Sequence, residues 1–172
     1  MAVLPIRVFG DPVLKERCPE VSTTGEELEQ QIRNLIDSLP RPGGAGLSAN
    51  QIGIIKRIFI YDNEGEIEVC INPRIISSSE EEVEDVEGCL SLPGVGVPVS
   101  RHSALELEYI DRAGEKLRIK AEGWTARVLQ HELDHLDGTL ILDRTDRASR
   151  IEALETIENG LPHDVTGEGP GL

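Results

Sequence analysis

Apolar residues recur at helical spacing early in the chain. In TTGEELEQQIRNLIDSLP, Leu28, Ile32, Leu35, Ile36 and Leu39 share one face, Thr24 and Glu27 are spaced as a capping box, and Pro40 and Pro42 stop the pattern. The period then changes to two. IKRIFIYD and IEVCINPRII read as strands on either side of a turn at residues 63–65, and ALELEYI and KLRIKAEG alternate apolar with polar residues around residues 111–114, as a half-buried hairpin does. From Trp124 a helical repeat returns through Val128, Leu129 and Leu136, and Gly138 can end it. A short helix is expected in RTDRASRIEALETIENG, where Ile151, Leu154 and Ile157 recur, and residues 161–172 read as a mobile tail. These elements predict an α+β fold, with an N-terminal helix and a second helix arriving late in a mostly β chain. No repeat or long linker divides the 172 residues, so residues 1–172 are read as a single domain.

Composition narrows the class. Hydrophobic residues are 38% and charged residues 28%, a balance typical of soluble globular chains. No apolar run is long enough to cross a bilayer, and MAVLPIRVFGDPVL lacks the layout of a secretory signal, so a cytoplasmic location and no membrane partner are expected. Seventeen basic residues against thirty-two acidic ones leave a net charge of −15, which repels phosphate backbones and argues against nucleic-acid binding. The acids crowd into EEEVEDVE at 80–87, which reads as a solvated face. Cys18, Cys70 and Cys89 are too few and scattered for a disulfide framework; Cys70 lies among apolar neighbours like an inert buried thiol, and Cys18 reads as structural or merely exposed. A monomer is the default.

The chemistry concentrates in HELDH, residues 131–135. Helical residues four apart differ by about 40° in direction, so His131 and His135 can reach one metal ion, with Glu132 on the flank. An ion held by neutral imidazoles can acidify a water that a nearby carboxylate deprotonates. A third ligand is required. Zinc proteases with this motif often take it from downstream, where His163, Asp143, Asp146, Glu152, Glu155 and Glu158 are available but none stands out. Upstream stands Cys89, in EGCLSLPG.

Three stretches, GGAGLSANQ at 43–51, EGCLSLP at 87–93 and QHELDHLDG at 130–138, resemble the three ordered motifs of peptide deformylases. The resemblance spans nearly the whole chain, and it implies antiparallel or mixed β-sheets around a central metal-binding HExxH helix. It implies Cys89 as the ligand that joins His131 and His135, leaving the fourth tetrahedral position for water. It implies Fe(II) as the native ion, although thiolate and imidazole also accept Zn, Co or Ni. The implied reaction is hydrolysis of the formyl group from the N-formylmethionine of newly made polypeptides, close to the ribosome. Glu132 would serve as general base and then acid, while the Gln51 side-chain amide and the Leu90 backbone N–H would receive the developing negative charge.

Gly44 and Gly46 would let backbone approach the substrate, and Leu90, Trp124 and Val128 are the candidates for the methionine slot. The chain departs from the commonest first motif, Gly-x-Gly-Leu-Ala-Ala-Pro-Gln, with Ser48 and Asn50 at the alanine and proline positions. Some bacterial members dock on the ribosome through a basic carboxy-terminal helix, whereas residues 151–172 here hold five acids and no Lys or Arg. Two rival readings are a zinc endopeptidase and a non-catalytic metal-binding homologue.

Overall fold

The computed structural model describes residues 3–22 and 24–159, so the expected tail at 161–172 lies outside the described residues. Seven strands form: β1 (Gly46–Ser48), β2 (Ile58–Asn63), β3 (Glu66–Ser78), β4 (Glu82–Gly88), β5 (Gly96–His102), β6 (Ala104–Ile110) and β7 (Lys116–Glu122). The helices are α1 (Glu26–Ser38), α2 (Gly123–Leu136), α3 (Ile141–Arg144) and α4 (Arg147–Glu158), with 3-10 turns at Pro12–Lys15 and Ala49–Ile52.

Five strands make one sheet in the order β1-β2-β3-β6-β7, and β4 pairs with β5 in a second sheet. Every described pairing is antiparallel, which decides between the antiparallel and mixed expectations. The alternation seen in the sequence sorts side chains to the two faces of the larger sheet. Phe59, Tyr61, Cys70 and Leu107 pack with Leu129 and Leu136 of α2, whereas Ile58, Ile60 and Val69 pack with Ile32 and Leu35 of α1. A third apolar cluster joins Val97 and Val99 of β5 to Leu140, Ile141 and Ala153, and includes Cys89.

Two expectations need correcting, and one element was not foreseen. The capping box at Thr24 does not form: α1 starts at Glu26 behind Gly25, whose φ of 121° suits glycine, and Glu27 instead meets Lys56 at 3.1 Å. The acidic run at 80–87 is solvent-exposed through Val86, as expected, but from Glu82 it forms a strand and its last acid, Glu87, is fully buried. The β4–β5 hairpin went unanticipated, because in β4 Val83 and Val86 are three apart and exposed, and in β5 Pro98 interrupts an alternation that only Val97 and Val99 carry.

Candidate active site

Helix α2 runs through the core with residues 126–136 buried. Its one-turn spacing places His131 Nε2 and His135 Nε2 3.2 Å apart. Cys89, just beyond the end of β4, brings Sγ to 3.2 Å from His135 Nε2, and the three ligand atoms all lie within 4.8 Å of one another. Ligands about 2.1 Å from a tetrahedral ion stand about 3.4 Å apart, so the donor set fits a catalytic metal in both spacing and chemistry.

The imidazoles are prepared by their surroundings. His131 Nδ1 lies 3.0 Å from Glu87 Oε2, which fixes the ring and leaves Nε2 for the metal. Glu87 is itself clamped by Arg101 through two contacts of 2.9 Å, and by Arg127 at 2.8 Å. Burial would raise the Glu87 carboxyl, but hydrogen bonds from Arg101 and His131 outweigh it and hold it at about 2. Burial would likewise lower His131, yet Cys89 and Glu87 hold it well up; the anionic groups that favour a proton there also favour a dication. His135 goes the other way, driven well below the ordinary range by burial and then by the charge of His131. Arg101 also reaches Asp134 Oδ2 at 2.5 Å, and Arg144 grips the same carboxylate, tying α2 to β5 and α3.

Glu132 is 1% exposed, and burial pushes its carboxyl up to about 7 against the opposing pull of His131 and Ser48. A side chain on Gly46 would place Cβ 2.6 Å from Glu132 Oε1, so this glycine makes room for the carboxylate. Gly44 has a different reason: a Cβ there would stand 2.6 Å from Leu39 Cδ1, so packing against α1's end, rather than close approach to a ligand, accounts for it.

Gln51 is buried with its amide orientation fixed. Its Oε1 accepts from Ser48 N at 2.8 Å, which turns Nε2 toward Ser91 Oγ at 3.2 Å and Cys89 Sγ at 3.8 Å. Asn50 donates to the His135 carbonyl at 2.6 Å, so the departure at this position ties the 3-10 turn to the metal helix.

A family model described as polypeptide deformylase matches residues 3–151. The chain belongs to the polypeptide deformylase family. The peptide deformylase of Natranaerobius thermophilus is 41% identical over 153 residues, covering 88% of this chain and 98% of its own. That of Clostridium botulinum is 43% identical over 148 residues, covering 86% and 99%. Among solved structures, the peptide deformylase of Thermotoga maritima superposes with a TM-score of 0.81 at 39% identity over 85% of this chain and 99% of the other. The one from Synechococcus elongatus, in complex with actinonin, gives 0.84 at 39% over 89% and 85%. Membership makes the chain a metal-dependent hydrolase and sets aside the endopeptidase reading.

Against the deformylase motifs, the structure brings Cys89, His131, His135, Glu132 and Gln51 together, with Leu90 next to Cys89. It does not gather the three methionine-slot candidates into one cluster. Val128 is buried in the core between α2 and the sheet, Leu90 packs beside the α1 cluster, and Trp124 is 55% exposed at the start of α2. Sequence reasoning missed Glu87, Arg101, Arg127 and Asp134. For Glu87 the available signal was its place two residues before Cys89, inside the same motif.

Proposed function

We propose that Cys89, His131 and His135 hold one divalent ion, natively Fe(II), and that Glu132 carries the proton in the family's reaction, removal of the formyl group from N-formylmethionine. The observation that carries this reading is the convergence of one thiol and two imidazole nitrogens beside a buried carboxylate. When bound, the ion acidifies a water and polarises the formyl oxygen.

The chain's own groups do the rest. Glu132 accepts the water's proton and passes it to the departing nitrogen, so that amide and water become formate and a free amine. Gln51 Nε2, its direction set by Ser48 N, donates to the oxygen that gains charge as the carbon becomes tetrahedral. The Leu90 N–H is the second donor; it follows Cys89 in a turn whose carbonyl at Cys89 is taken by Leu92 N at 2.8 Å. Backbone at Gly46, beside the Glu132 carboxylate, borders the substrate. Of the three candidates for the methionine slot, Leu90, next to Cys89, is the one placed beside the ligand cluster, whereas Val128 is covered by core and Trp124 stands exposed at the start of α2.

The substrate is a formylated nascent polypeptide near the ribosome, met by a cytoplasmic monomer. The acidic stretch after Arg150 favours a docking route other than a basic helix. The test is formate release from formyl-Met-Ala-Ser by protein prepared without oxygen, with bound metal measured on the same sample. Turnover that disappears together with the metal in Cys89→Ala supports the assignment. Full metal occupancy without turnover would return the chain to the non-catalytic homologue reading.

A further inference from the structure

A carboxylate has two oxygens, and a base that must both take and return a proton works best when only one of them is free to do so. Strand β1 distinguishes the two oxygens of Glu132. Gly46 and Ser48 are two apart on β1 and therefore project to the same side of the strand. Ser48 is fully buried, and its Oγ lies 2.6 Å from Glu132 Oε2 and 2.9 Å from the Glu132 carbonyl oxygen. A hydroxyl has one proton, so the shorter contact to the charged acceptor takes the donated hydrogen bond. On the other side, Gly46 contributes no atom at the place beside Oε1 where a Cβ would stand 2.6 Å away.

We propose that Ser48 is a positioning residue for the base. Its hydroxyl pins Oε2 of Glu132, and Oε1, on the Gly46 side, is the oxygen that takes the water's proton and returns it to the leaving nitrogen. Ser48 keeps its own proton throughout. The inference rests on Glu132 as the base, and it gives a role to the hydroxyl at a position where the commonest form of the motif has alanine. Since that form manages without the hydroxyl, the effect is the worth of one hydrogen bond.

Ser48→Ala and Ser48→Cys separate hydrogen bonding from shape, because the thiol fills the space but donates poorly. The expected result is a fall in kcat of about tenfold in both, with KM and metal per chain unchanged, and recovery of most of the loss in Ser48→Thr. In a Glu132→Ala background, Ser48→Ala should lower the melting temperature less than it does alone, because the carboxylate it holds is gone. Wild-type kcat in Ser48→Ala, or recovery by Ser48→Cys, would overturn the proposal and leave Glu132 as the base. Turnover retained by Glu132→Ala would overturn the base assignment, and the Ser48 proposal with it.

Discussion

Each residue around the ion is held by another, which makes the consequences of single changes specific. Glu87→Gln keeps a neutral acceptor for His131 but removes the charge that Arg101 and Arg127 clamp. Loss of such a supporting carboxylate should weaken metal binding about 10–100-fold, measured by competition with a chelator. Gly46→Ala should act on the carboxylate instead. Its Cβ would stand 2.9 Å from both Cγ and Cδ of Glu132, so the group must move, and a displacement near 1 Å costs about 100-fold in rate. Metal content should be normal in that variant; a wild-type rate would show that the carboxylate has room to spare. This division also explains what could be read from the sequence. His131, Glu132 and His135 are legible because one helix turn sets their spacing, and Cys89, Gln51 and Leu90 through the resemblance alone. Glu87 and its arginines are not, since Arg101 is 14 residues from Glu87 and Arg127 is 40, and no local period links them.

At the scale of elements, the paired strands β6 and β7 were legible from alternation, and the same register builds a charge cluster on their outer face. Glu108 lies opposite Arg118 on β7 and Arg74 on β3, and accepts from both and from Lys116. The hydrogen bonds from Arg118 and Arg74 lower its carboxyl from 4.5 to about 2. Because the folded value is the lower one, this cluster stabilises the fold above about 4.5, and its contribution falls as pH drops from there toward about 2. Urea midpoints of wild type and Glu108→Gln should therefore differ at neutral pH and converge near the lower value; a constant gap would mean that packing, not charge, sets the difference. The end of α2 offers a second check. Gly138 has φ of 72°, and a side chain there would press on the Lys15 carbonyl, so Gly138→Ala should cost at least about 1 kcal/mol in urea unfolding. What stayed hidden at this scale was β4, whose exposed Glu82, Glu84 and Asp85 look like any solvated run until Glu87 turns inward.

Across the whole molecule, the three ligand positions come from two layers that Arg101, Arg127 and Gln130 already tie together, and a bound ion would add one more tie between them. Cys89 follows a strand of the two-stranded sheet, and both histidines belong to the helix packed on the five-stranded one. A ligand present at 100 times its dissociation constant adds about 2.7 kcal/mol. For a chain of this size that corresponds to about 5–10 °C, so chelation should lower the melting temperature by at least this much. Equal melting with and without chelator would mean that the layers hold together unaided.

The long separation between the joined stretches also has a meaning in time. Ser48 meets Glu132 across 84 residues, and Cys89 meets His135 across 46. A chain leaving the ribosome amino end first carries the glutamine and cysteine stretches long before the histidines follow. Until His135 has emerged, the newborn chain has no complete seat for the ion, so the enzyme that trims other nascent chains comes late to its own active site.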